Sequence, residues 1–202
     1  MRVPAAMRRD VRMLGEMLGQ VIRESEGKDL LDDVEDLRHR VIAAREHETG
    51  DSGEQARSSA DEDITTLIAG WPAMRAQAVA RAFTVYFHLA NLCEEHQRIR
   101  TLRERDTGTE PVRESLAAAM ASLAGTLTAD QRQSLLDRLE VHPVLTAHPT
   151  EARRRAVTQA LRRISAELEN LDNSRLGAAE RTQGMRRLRE EIDLLWRTSP
   201  LR

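Results

Sequence analysis

Apolar residues recur along this chain at intervals of three and four, and the pattern predicts a succession of helices. Over residues 5–25 the stripe is Val11, Leu14, Leu18, Val21 and Ile22. Gly15 and Gly19, four apart, permit close packing, and Gly27 is placed to end the helix. Leu30, Leu31, Val34, Leu37, Val41 and Ile42 mark a second helix with charges on its other face. Between Glu48 and Asp61 the composition shifts to Gly, Ser, Asp and Glu with almost nothing apolar, which predicts a solvated loop. A short helix around Ile64 to Ala69 leads to Trp71-Pro72, and proline suits the first turn of a helix. The longest pattern runs from about Ala73 to Arg105 and holds Val79, Phe83, Phe87, Leu89, Ala90 and Leu92. Asp106 to Pro111 reads as a turn, and two shorter helices are expected near 112–124 and 129–140.

The texture then changes. Val141-His142-Pro143-Val144-Leu145-Thr146-Ala147 is short and mostly apolar, with Pro143 inside it and Pro149 just beyond. Helix is disfavoured there, and a brief buried strand is expected. Helices are expected again from Thr150 to about Asn173 and from about Ala178 to Arg197, and the chain stops at Arg202 without a closing element. The expected organisation is a helical amino-terminal region over 1–140 and a different, strand-then-helix beginning over 141–202. No internal repeat interrupts it.

Composition narrows the class. Hydrophobic residues are 40% and charged residues 32% of the 202, a mixture that suits a helix-rich folded protein rather than a disordered one. Aromatics are only 2%, so the core must be built from Leu, Ile, Val, Ala and Met, as helix-on-helix packing prefers. Thirty-one basic and 33 acidic residues are interspersed, for a formal net charge of -2, and no basic block stands out. Nucleic acid and anionic membrane are therefore poor partners. Lys28 is the single lysine, which reads as the codon bias of a GC-rich genome. Cys93 stands alone, which rules out an internal disulfide and a cysteine pair for a metal. With no signal-peptide pattern and no apolar run long enough to span a bilayer, a cytoplasmic location is expected.

One segment carries chemistry: Val144-Leu145-Thr146-Ala147-His148-Pro149-Thr150-Glu151-Ala152-Arg153-Arg154-Arg155. In this reading a strand ends, His148 stands at its carboxyl end, and a helix capped by Thr150 begins two residues later. Ligand sites in strand–helix architectures lie at the carboxyl ends of strands, where helix N-termini offer N–H groups to anions. Three arginines in a first helical turn oppose the helix dipole by roughly 0.3–1 kcal/mol per charge. A visiting anion would offset that. The helix's apolar face is Val157, Ala160, Leu161, Ile164, Leu168 and Leu171. At about 100° per residue, Arg153 and Arg154 fall in the inward sector and Arg155 nearly opposite. The alternative is that these arginines pair with Glu151, Glu167 or other acidic neighbours at the surface. Spacing alone leaves both open.

Thr146-Ala147-His148-Pro149-Thr150-Glu151, followed by the basic run, resembles a signature of the phosphoenolpyruvate carboxylases. Arg154 and Arg155 fall where that family's basic pair falls. Met7-Arg8-Arg9-Asp10-Val11-Arg12-Met13-Leu14-Gly15 with Leu18-Gly19 resembles the family's opening helix. Ala82-Phe83, Phe87-His88-Leu89-Ala90-Asn91 and Glu95-His96-Gln97-Arg98 resemble its long early helix, and Leu195-Trp196-Arg197-Thr198 sits at the expected distance downstream. The resemblance covers nearly the whole chain. It implies a mainly α protein in which the helical region leads into the first strand and helices of an incomplete α/β (TIM-like) barrel. Family members are several times longer. They add bicarbonate to phosphoenolpyruvate, giving oxaloacetate and phosphate with Mg2+ or Mn2+, an anaplerotic carbon fixation that feeds the tricarboxylic acid cycle. The resemblance assigns His148 to the carboxyphosphate and carboxylation steps, and Arg154 with Arg153 to holding the anionic species. Metal ligands, a second essential histidine and the main phosphate-binding arginines are expected downstream of this chain. By itself the chain is therefore expected to be inactive and to expose apolar surface; the full-length enzyme is expected to be a homotetramer.

Two other classes fit parts of the sequence. A histidine phosphotransfer module would present its histidine from mid-helix, and Pro149 disfavours a helix through His148. A non-catalytic helical fragment acting only in assembly would differ in the reading frame beyond Arg202. Elsewhere, His88 and His96 lie two turns apart, too far for one ion, and suit packing and hydrogen bonding. His142 before Pro143 reads as structural or exposed, and His39 and His47 belong to a charged helix face and its end. Met13, Met17 and Leu18 are core candidates, Cys93 a small buried hydrophobe, and Trp196 an anchor for the last helix.

Overall fold

The computed structural model describes residues 3–46, 53–107, 111–144 and 154–198, with the side chains of residues 46 and 53–60 left aside. These residues form α1 (Ala5–Glu26), α2 (Lys28–Glu46), α3 (Gly53–Ala69), α4 (Ala73–Asp106), α5 (Leu116–Leu123), α6 (Ala129–Leu136), α7 (Arg155–Leu171) and α8 (Ala178–Arg197). There is no strand among them. No described helix is long and apolar enough to cross a membrane.

The expected helices are present, with differences at their ends that have local causes. Gly27 ends α1 with φ 94° and ψ 171°, a conformation reserved for glycine. Gly15 and Gly19 face Tyr86 and Leu31, where an added Cβ would lie 3.7 and 3.6 Å from the nearest side-chain atom, ordinary contact rather than a clash. The carbonyl of Pro72 accepts from the N–H groups of Arg75 and Ala76 at the start of α4. Ser115 caps α5 by accepting from Ala118 N–H, which starts that helix later than the apolar pattern suggested. Thr128 and Gln131 form a reciprocal capping box on α6.

The loop expected over 48–61 needs correcting, since α3 begins at Gly53. Glu54, Gln55, Ala56, Arg57 and Ala60 are good helix formers, and backbone propensity of this kind is not visible in an apolar stripe. Residues 47–52, with His47, lie outside the described residues. The strand expected over 141–147 is also not formed where it is described: residues 141–144 have no regular structure, and Val141 and Val144 are 84% and 89% exposed. A lone strand has no partner for its backbone N–H and C=O groups, and none is available among the described residues. Residues 145–147 lie outside them.

One compact unit comprises the described residues of 3–94 and 154–198. Within it α1 packs on α2 and α8, α2 on α3, and α7 on α8. Its core draws Leu14, Leu18, Val21 and Ile22 from α1, Leu30 from α2, Val79, Val85, Leu89 and Cys93 from α4, and Ile164 from α7. Leu188, Ile192, Leu195 and Trp196 complete it from α8. Met17 is buried and Met13 packs at its edge. The stripe on α4 differs from the expected one: Val85 is buried while Phe87 is 59% exposed. Two positions along a helix turn a side chain by about 200°, so both cannot face one core.

Ion pairs tie these helices together at the rim. Arg81 of α4 reaches Glu26 of α1 at 2.6 Å, Arg189 of α8 pairs with Glu24 of α1, and Arg75 of α4 pairs with Asp33 of α2. The α7–α8 turn is held by Arg175 N–H donating to Asn173 Oδ1 and by Gly177 N–H donating to Glu180 Oε2.

A second unit comprises the described residues of 95–144. Neither α5 nor α6 buries a residue, and Leu116, Leu135 and Leu139 are exposed.

Candidate functional site

The site read from the sequence consists of His148, Arg153 and Arg154. His148 and Arg153 lie outside the described residues, as does Thr150, the expected cap. Arg154 alone is described. It occupies the N-cap position of α7 with φ −58° and ψ 138°, and its carbonyl accepts from Thr158 N–H at 3.2 Å.

That geometry corrects the expected placement of Arg154. Its ψ is extended rather than helical, so it stands before the first turn and not within it. Its side chain is exposed rather than turned toward the apolar face. The reason lies in where burial begins: Val157 is the first buried residue of α7, and helices gain most of their stability from such packing. The face itself is as the periodicity predicts. Val157, Ala160, Leu161, Ile164 and Leu168 are buried, with Leu171 packed at the edge. Arg155 is exposed, as its phase requires. Among the described residues no side chain caps the start of α7, and no acidic residue lies in its first turn. Glu167, one of the acidic partners considered for these arginines, is instead engaged by Arg187. Its two oxygens accept from Arg187 Nε and Nη2, each at 2.9 Å. Those hydrogen bonds hold the Glu167 carboxyl below the usual carboxylate range, against the opposing effect of burial.

The other histidines among the described residues fall into structural or solvent-facing settings. His96 is buried on α4, as packing predicts, and His88 on the same helix is partly buried. His142 is exposed and lies 2.7 Å from Glu140 Oε2. His39 is exposed beside Arg38. Cys93 is fully buried, in keeping with a small hydrophobe. Asp10, in the opening helix, is a buried acid that hydrophobic periodicity did not single out. Among the described residues no group of three or more His, Cys, Asp and Glu is placed to hold a metal ion. A shallow concavity beside α6, lined by Leu127, Asp130, Gln131, Ser134, Leu135 and Arg138, gathers no buried acid or base.

What the described residues define is therefore a helical frame. It leads into α7 from a motif-bearing segment that carries the candidate chemistry. Comparison with known proteins gives that frame a family. The family model described as phosphoenolpyruvate carboxylase matches residues 7–202. A phosphoenolpyruvate carboxylase of Rhodopseudomonas palustris is 35% identical over 199 residues, covering 97% of this chain and 20% of the relative. That of Roseiflexus castenholzii is 38% identical over 195 residues, covering 95% of this chain and 20% of the relative. That of Pseudomonas entomophila is 38% identical over 206 residues, covering 97% and 21%. The chain belongs to the phosphoenolpyruvate carboxylase family. It spans about a fifth of the length of these curated relatives.

Proposed function

We propose that this chain is the amino-terminal part of a phosphoenolpyruvate carboxylase, a carbon–carbon lyase that joins bicarbonate to phosphoenolpyruvate to give oxaloacetate and phosphate. The observation that carries this reading is the family match over residues 7–202, which includes the intact Thr146-Ala147-His148-Pro149-Thr150-Glu151 motif. In this reading residues 1–140 are the helical amino-terminal region and 141–202 begin the catalytic barrel. Residues 141–147 become its strand when neighbouring strands supply the backbone partners that a lone segment lacks.

The reaction then proceeds in two stages. A bicarbonate oxygen attacks phosphorus and the bond from phosphorus to the enol oxygen breaks, giving carboxyphosphate and the enolate of pyruvate. Carboxyphosphate releases carbon dioxide and phosphate, and the enolate carbon captures the carbon dioxide. His148 serves the stages around carboxyphosphate, since an imidazole titrating near neutrality can donate to or accept from that intermediate. Arg154 and Arg153 hold the anionic species through charge-assisted hydrogen bonds. For Arg154 this requires its exposed side chain to face a site completed by the longer polypeptide. Divalent metal, Mg2+ or Mn2+, belongs to the same reading through ligands further along that polypeptide. The chain by itself is then inactive, and the complete enzyme is a cytoplasmic homotetramer.

The test is the substitution His148→Asn in the family-length enzyme carrying this segment. Oxaloacetate formation, followed through a coupled dehydrogenase, is expected to fall by a factor on the order of 10²–10⁴, as for loss of a general acid–base group, with a much smaller change in affinity for phosphoenolpyruvate. An unchanged turnover number defeats the assignment. Stable transfer of labelled phosphate to His148 would favour a phosphotransfer role instead.

A further inference from the structure

We draw no further inference here: the strongest candidate, the apolar surface that α5, α6 and residues 139–144 present in the second unit through Leu116, Leu135, Leu139, Val141 and Val144, carries nothing because no feature of the structure shows what covers it.

Discussion

Gly27 lets α1 end and α2 begin one residue later, and it can do so only because it has no Cβ. With φ 94° and ψ 171° it occupies a region that other residues enter at a cost of roughly 1–3 kcal/mol. Gly27→Ala is expected to lower the unfolding free energy by about that amount, although nothing lies within 4 Å of the added methyl. Urea melts showing an unchanged midpoint would refute a backbone origin. Trp196 sets a different kind of residue-scale demand. It is 1% exposed, and the Arg81 guanidinium lies 3.9 Å from its ring centroid. The same Arg81 pairs with Glu26, so one side chain links α1, α4 and α8. Trp196→Ala removes both a large buried ring and that cation–π contact, and a loss of about 3–5 kcal/mol is expected from the cavity. A loss under about 1 kcal/mol by chemical denaturation would mean that the ring is not the anchor described.

Between elements, α7 and α8 are joined by close packing and by charge. Gly184 on α8 approaches α7 so closely that a Cβ there would meet Glu167 Oε1 at 2.7 Å and Leu171 Cδ2 at 2.9 Å. The narrow gap brings Glu167 under the fork of Arg187, and Arg163 reaches Glu191 at 2.6 Å on the same pair of helices. Because the hydrogen bonds from Arg187 depress the Glu167 pKa in the folded state, the pair stabilises the fold above the ordinary carboxylate range. That contribution is lost as the pH falls through the depressed value. Glu167→Gln is therefore expected to lower the melting temperature at neutral pH, with the gap to the unaltered chain narrowing as acid is added. Thermal melts at a series of values from about pH 3 to about pH 7, a window that brackets the titration of an ordinary glutamate, test this. A gap that stays constant with pH would assign the effect to packing instead.

On the scale of the whole molecule, burial is distributed unevenly. The hydrophobic cluster is drawn from α1, α2, α4, α7 and α8, whereas α5 and α6 contribute no buried residue. Short helices held by end caps open locally more easily than helices locked in a core. Amide hydrogen exchange of this chain is expected to be fastest in α5 and α6 and slowest near Leu14, Leu89, Ile164 and Ile192. Equal protection throughout would contradict that division. The family's relatives are about five times longer than this chain, which covers 20% of the first two.

Much of the helical frame is legible in the sequence because an apolar stripe with a period near 3.6 can satisfy itself against any neighbouring stripe. The buried face of α7, the core position of Leu14 and Leu18, the end at Gly27 and the burial of Trp196 all follow from such local signals. The His148 motif, likewise, is a matter of residue identity and needs no coordinates to be recognised. Tertiary structure decided what local signals leave degenerate: that Val85 rather than Phe87 enters the core, that Glu167 goes to Arg187, and that Arg154 stands outside α7. Each depends on which partner arrives across space. The segment 141–144 shows the same limit from the other side, because a strand exists only where another chain segment meets its backbone.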